Sequence, residues 1–437
     1  MEPLEGWIER QYRYAANAML MSVSALALTK QRPGFGQIVT ARKGSIVASP
    51  VLADYDPEPD YFFHWYRDSA VVMDALRLLM EDGSGAPQAP SQFADFVHFS
   101  LSLLSVDGRR LVEAPHWRDA VAPDFTKFLR TNQDLACVHG EAVAAETRVN
   151  ADGTLDISSW PRPQNDGPAL RALTVLRWAR HTRFDADLTA AVAALLSADL
   201  AYTQQHWREP CFDIWEEEKG LHYYTLCIAA AALEAGADWL HERGDAVQAR
   251  AAANDVEAIR RRLDAYWLAD QGYYRSRVLE SGARSSKELD IAVILAPLHA
   301  AGSGDAHSVR DARMHATLAR LEALFDAAYK INRERPSTHA PAMGRYAGDC
   351  YYSGGAYYFS TLGAAEFCFR AARGSSDAQQ WVRRGEAFLE TVRHFTPANG
   401  ELSEQFDQKT GLQTSARHLA WSYAAFISCI AARRAVV

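Results

Sequence analysis

The residues of unusual chemistry in this chain gather just ahead of alternate helical stretches. About twelve stretches with apolar residues at helical spacing begin near residues 4, 66, 91, 167, 187, 221, 246, 286, 309, 354, 377 and 415. Clusters of aromatic rings, carboxylates and arginines occupy 61–68, 159–171, 213–217, 345–352 and 401–407, ahead of the second, fourth, sixth, tenth and twelfth stretch. A pair of antiparallel helices returns the chain to the end where it started. If alternate helices form an inner ring, the five clusters therefore open at one end of a toroid, in a single shared pocket.

The helical reading rests on spacing and caps. Val256, Ile259, Leu263 and Tyr266 recur at helical spacing behind Gly244 and Asp245, read as break and cap. Leu188, Val192, Leu195 and Leu196 repeat the pattern, and Leu419, Tyr423, Phe426, Ile427 and Ile430 follow a candidate N-cap at Ser415. Strand alternation is rare. Residues 31–64 and 109–165 read as long irregular segments, which in a compact chain usually carry function.

With 48% hydrophobic and 23% charged residues, the chain is expected to bury a packed core. Its net charge of −8 opposes nucleic acid or an anionic membrane as partner, since either needs a concentrated basic surface. The apolar run Ala18–Leu28 follows Glu2, Glu5, Glu9 and Arg10 rather than a basic leader, and no run reaches the ~18 residues of a membrane helix. A cytoplasmic protein is expected. Cys137, Cys211, Cys227, Cys350, Cys368 and Cys429 lack CxxC spacing and are expected to be buried, reduced thiols. With no GxxxxGK[ST] loop, HExxH helix or GxSxG elbow, nothing asks for a nucleotide, a cofactor or a metal.

Phe212-Asp213-Ile214-Trp215-Glu216-Glu217-Glu218 sets carboxylates beside an indole. A carboxyl packed on an apolar ring is poorly hydrated when ionised, which favours the protonated form and suits it to donate a proton to a glycosidic oxygen. Neighbouring side chains of an extended loop point to opposite sides, so Glu216 and Glu217 are expected to divide the work: one protonates substrate, the other accepts sugar hydroxyls. The same run would also serve as an acidic first helical turn. Glu401-Leu402-Ser403-Glu404-Gln405-Phe406-Asp407 adds a second carboxylate set. An inverting glycosidase needs two carboxyls roughly 6.5–9.5 Å apart, with a water between them, and two loops facing across a pocket suit that; a solvated acidic turn is the plainer alternative.

The run from Asp60 to Asp68, DYFFHWYRD, is too aromatic for a surface loop and too polar for a core strand. Aromatic faces stack on sugar C–H surfaces, and Arg67 with Asp68 either meets vicinal hydroxyls or forms a salt-bridged helix start. His64 reads as a packing residue. Between Ser159 and Pro168, prolines hold an extended platform from which Trp160 and Arg162 project, with Asp166 as cap and Pro168 at the helix start. Arg345, Tyr351 and Tyr352 add a further cation and two rings.

In order along nearly the whole chain, from GSIVASP at 44–50 onward, the blocks YFFHWYRDS (61–69), SWPRPQNDGPALR (159–171), DIWEE (213–217), GRYAGDCYY (344–352), SEQFD (403–407) and SARHLAWSY (415–423) resemble the glucoamylase family of inverting, exo-acting α-glucosidases. The resemblance implies an all-α fold: an (α/α)6 barrel of about twelve paired helices, spanning 1–437 as a single catalytic domain without a carbohydrate-binding module. It implies an α-glucan or α-gluco-oligosaccharide substrate, with Glu216 as general acid, Glu404 as general base and Glu217 as a ligand for the next sugar. Arg67 and Asp68 would clamp the terminal glucose beside Tyr61 and Trp65. Trp160, Trp215 and Arg345 would line neighbouring subsites, and Gln405 would position the water. Pro161 stands where fungal members commonly carry Gly, Asn165 replaces a basic residue, Tyr357 a subsite Trp and His418 an Asp. The reducing-side subsites are therefore where this chain is expected to differ. An α-1,6-glucosidase of the isomaltose or dextran type, or a trehalase, would share the mechanism; a non-catalytic sugar-binding protein is the alternative of another class.

Overall fold

The computed structural model describes residues 2–83, 86–301 and 305–437. Among them, twelve helices of nine or more residues follow one another: α1 Leu4–Leu20, α2 Tyr66–Glu81, α3 Ala89–Leu103, α4 Asp166–His181, α5 Ala186–His206, α6 Tyr223–Glu242, α7 Ala246–Asp264, α8 Ala292–Ala300, α9 Ala312–Ala328, α10 Tyr358–Ala372, α11 Ala378–Phe395 and α12 Ala420–Arg434. The even-numbered helices form a closed inner ring. Each packs on the next even-numbered neighbour, and α12 returns to α2. The odd-numbered helices wrap the outside: α7 lies on α6, α11 on α10, α1 on α12, and α5 across α4 and α6. This is the (α/α)6 barrel expected from the sequence.

Residue pattern sorts the two rings. Every residue of α10 except Arg370 is buried, as its sequence YFSTLGAAEFCFRAA requires of a helix enclosed all round. Outer α11 buries Gly385, Phe388, Leu389, Thr391 and Val392 along one stripe and turns its charged residues to solvent. Inner helices also need small residues where they cross. A Cβ on Gly363 of α10 would stand 2.5 Å from Leu295 of α8, and one on Gly167 of α4 would stand 2.7 Å from the Cβ of Tyr66 in α2.

Short strands fasten the loops at the end where the inner helices begin. Phe63–Trp65 leads into α2 and pairs antiparallel with Arg148–Asn150. Lys219–His222 leads into α6 between Cys211–Phe212 and Arg277–Leu279. Ala356–Tyr357 leads into α10 beside Gln405–Phe406. Neither long irregular segment is structureless: 31–64 contributes to the hairpin Thr29–Arg32/Gln37–Thr40, and 109–165 holds short helical turns and the strand Arg148–Asn150.

Several local expectations are corrected. Asp245 caps α7 as read, accepting from the backbone N–H of Gln248 at 3.1 Å. Ser415 does not cap α12; it adopts φ +63°, its hydroxyl donates to Glu404, and the helix begins only at Ala420. Asp166 is the first residue inside α4, and neither carboxylate oxygen has a hydrogen-bond partner. The eighth helix begins at Ala292 rather than near 286, because strand Arg277–Leu279 and the turn after it use up the intervening chain. None of the six cysteines is in a disulfide, but Cys137 and Cys350 are exposed rather than buried. Among the described residues no helix is long and apolar enough to cross a membrane.

Candidate active site

One cavity of about 240 Å³ opens at the end where the inner helices start. Its wall comprises Ala48, Tyr61, Trp65, Arg67, Asp68, Trp160, Pro161, Ile214, Trp215, Glu216, Glu217, Arg345, Tyr351, Phe359, Glu404, Leu419 and Trp421. Arg67 and Asp68, Phe359, and Trp421 belong to the first turns of α2, α10 and α12. The partial positive charge of these helix N-termini faces a pocket that holds four carboxylates. Eleven of the thirteen residues singled out from the sequence lie in this wall.

Glu216 sits at φ +64° on a turn built by Asp213. The Asp213 carboxylate accepts the backbone N–H groups of Glu217 (2.8 Å) and Glu218 (2.9 Å), and Arg277 holds its other oxygen at 3.1 Å. Glu216 and Glu217 do separate, but through this left-handed residue rather than by extended alternation. Both Glu216 oxygens are engaged. The Trp65 indole N–H donates to one at 2.9 Å, with Arg67 3.3 Å away, and the Trp160 indole N–H donates to the other. These two indoles meet the carboxylate with their polar edges, while the indole that the sequence set beside it, Trp215, gives its N–H to Asp290 at 2.9 Å. Arg67 also donates to the carbonyl of Ile214 (2.8 Å) and pairs with Asp68 at 2.9 Å. Burial pushes the Asp68 carboxyl above its ordinary range despite that ion pair.

Glu404 lines the same cavity with a different set of partners. The Tyr61 hydroxyl donates to it at 3.4 Å and also bonds the Tyr351 hydroxyl at 2.8 Å, while Ser415 donates to the other oxygen. Burial pushes Glu404 up to about 7, against the opposing pull of Ser415 and Arg345. Glu217 faces two cations: Arg345 donates to one oxygen at 3.0 Å, and Lys287 to the other at 2.6 Å beside the Tyr346 hydroxyl. Arg345 is fixed from behind by Asp349, at 2.6 and 2.7 Å.

Stacked rings form the floor. Phe359 and Trp421 lie 4.4 Å apart and nearly parallel at 7°, and Trp215 stacks against both at 5.9 and 6.3 Å. The Trp215 N–H is held at 2.9 Å by Asp290, which burial pushes up to about 6. Phe359, Leu419 and Trp421 were not singled out; their signal was their place at the start of inner helices.

Two residues singled out from the sequence lie outside the wall. Arg162 turns back to Glu146 (2.6 Å), to the carbonyl of Trp160 (2.7 Å) and toward Asp156 (3.3 Å), and so braces the loop that carries Trp160. Gln405 is fully buried; its amide donates to the Tyr357 hydroxyl at 2.8 Å and accepts from Ser353 at 3.0 Å. Of the departures, Pro161 lines the cavity, whereas Tyr357 is buried behind it, its hydroxyl 3.2 Å from Asp349.

A helical toroid with paired carboxylates and an aromatic floor in one end pocket defines a glycoside hydrolase of the (α/α)6 type. The model of glycosyl hydrolases family 15 matches residues 141–384 and 372–431, and the chain belongs to that family. It is similar to glucoamylase 1 of Rhizopus oryzae, 26% identical over 97% of this chain and 70% of that protein. Its fold is similar to that of the Hormoconis resinae glucoamylase, with a TM-score of 0.78 at 25% identity over 99% of this chain and 74% of that one. The Saccharomycopsis fibuligera glucoamylase gives a TM-score of 0.79 at 21% identity, covering 99% and 96%. The protein is an exo-acting, glucoamylase-like glycoside hydrolase.

Proposed function

We propose that this enzyme releases β-glucose by inversion from the non-reducing ends of α-glucans or α-gluco-oligosaccharides. The observation that carries the reading is that Glu216 and Glu404 line one cavity and are held by different donors, Trp65 and Trp160 for the first, Tyr61 and Ser415 for the second. In this reading the terminal glucose lies on the Phe359–Trp421 floor with its 4- and 6-hydroxyls on Arg67 and Asp68. No sugar extends past that wall, which accounts for exo action. Glu216 protonates the glycosidic oxygen; ionised Glu404 removes a proton from the water attacking the opposite face of the anomeric carbon. The glycosidic bond breaks as the new C–O bond forms, and no covalent intermediate intervenes. Glu217, Arg345 and Tyr351 receive the leaving sugar. The twelve-helix ring acts as one catalytic domain, and six unpaired cysteines support a reducing, cytoplasmic setting.

Anomer-resolved NMR of fresh hydrolysates of maltose, isomaltose and trehalose tests this reading. The glucose cleaved from the non-reducing side of maltose or isomaltose is expected as the β-anomer, seen as an initial excess of β-glucose over the anomeric mixture carried by the reducing-end glucose, and the relative rates assign the linkage. An initial excess of α-glucose over that mixture, or sugar affinity without hydrolysis, overturns it.

A further inference from the structure

We propose that Lys287 is a positioning residue that sets the enzyme's affinity for the leaving sugar by fixing Glu217. Lys287 lies in the loop ahead of α8, the one inner helix that no chemical cluster precedes in the sequence. Its ammonium stands 2.6 Å from one Glu217 oxygen and 4.7 Å from the centre of the Tyr346 ring. The backbone beneath it is pinned: the Lys287 N–H donates to Ser285 at 3.0 Å, and its carbonyl accepts from the Ser276 hydroxyl at 2.9 Å. Arg345 holds the other Glu217 oxygen at 3.0 Å, itself anchored by Asp349.

Glu217 adjoins Glu216 in sequence and lies in the cavity wall, while Lys287 does not line the cavity and reaches it only through this carboxylate. A carboxylate has about four lone-pair sites, so ion pairs at both oxygens leave acceptor capacity for sugar hydroxyls in a fixed direction. The Glu217 and Lys287 side chains are a quarter and a fifth exposed, at 25% and 22%, so without the ammonium the carboxylate keeps Arg345 and the Tyr346 hydroxyl but loses its second ion pair and is held less firmly against water. Ordering it would then fall to the incoming sugar, which raises KM for substrates that carry a leaving sugar. A substrate without that sugar feels no such change.

This inference rests on the hydrolytic reading above, and one pair of substrates separates the two. α-Glucosyl fluoride carries glucose and no leaving sugar; maltose carries both. Kinetics of Lys287→Met are expected to show kcat/KM for maltose reduced about tenfold, mostly in KM, with α-glucosyl fluoride within about twofold of wild type. Lys287→Arg, which keeps the cation, is expected to restore most of the maltose affinity. Equal losses on both substrates would mark Lys287 as merely structural and overturn the inference, as would an unchanged maltose KM in Lys287→Met. Wild-type enzyme inert toward both substrates would overturn the hydrolytic reading itself, and this inference with it.

Discussion

Tyr61 and Trp65 stand with ring centroids 5.2 Å apart, and each donates a hydrogen bond to a different carboxylate of the cavity, Tyr61 to Glu404 at 3.4 Å and Trp65 to Glu216 at 2.9 Å. One short segment, residues 61–68, which runs through the strand Phe63–Trp65 into the first turn of α2, thus touches both groups and also carries Arg67 and Asp68. Two carboxylates far apart in sequence are held in register by side chains four residues apart, clamped by the pairing of Trp65 with Arg148.

Trp65→Phe keeps an aromatic ring and removes the donor. A hydrogen bond to a charged group contributes about 1.5–3 kcal/mol, so kcat on maltose is expected to fall by about 10–100-fold, with a lower Tm as well because the smaller ring leaves space at a buried position. A variant with undiminished kcat would show that Trp160 and Arg67 alone hold Glu216.

The phase of chemical clusters against helices carried most of the architecture. The α2, α4, α6, α10 and α12 starts fall within five residues of the sequence reading, because each begins within or after one of the chemical clusters, while the outer α7 shows its start by the cap Asp245 and its apolar stripe. What sequence does not encode locally is side-chain direction. Gln405 begins the strand Gln405–Phe406 just after Glu404 and turns inward to Tyr357 and Ser353, and Arg162 folds back on Glu146 although it lies two residues from Trp160. The Asp213–Arg277–Asp290 network joins the turn that carries Glu216 to the strand Arg277–Leu279, 64 residues further on, and to the loop ahead of α8, a connection no local pattern reveals. Phe359 and Trp421 read as ordinary apolar helix residues, yet each occupies the second position of an inner helix, as Arg67 does.

The crossing of α2 and α4 sets the depth of Arg67. Gly167→Ala places a methyl 2.7 Å from the Tyr66 Cβ, an atom fixed by its backbone rather than the tip of a flexible chain. The cost is expected to be about 1–3 kcal/mol, read as a lower Tm, with activity reduced because Arg67 follows Tyr66 in the displaced turn. An unshifted Tm would mean that the two helices separate freely.

The two carboxylates are distinguishable by leaving group. Glu404→Gln is expected to lower kcat by about 10²–10⁴-fold on every substrate, with KM little changed, because no substrate supplies its own base. Glu216→Gln is expected to do the same on maltose but to retain far more activity on α-glucosyl fluoride, since fluoride departs without a proton. Equal losses of Glu216→Gln on both substrates would remove Glu216 from the acid role.

The pH profile follows from the environment of Glu404. Its carboxyl is raised to about 7, first by burial, while the Ser415 hydroxyl pulls the other way by bonding the ionised form. A general base acts only when ionised, so kcat/KM is expected to rise with pH through a limb near 7 and to fall on acidification below it. Ser415→Ala removes a group that favours the ionised form, so the limb is expected to move to higher pH and activity at pH 6 to drop more than activity at pH 8. Desolvation of the same carboxyl acts on stability in the matching sense. The folded state holds its proton more tightly than the unfolded chain, so stability from this group is greatest below the ordinary carboxylate range and declines as pH rises through about 7. Glu404→Gln, which has no proton to lose, is expected to abolish that decline, measured as the difference in Tm between pH 5 and pH 8. A limb that stays in place in Ser415→Ala would assign it to another group.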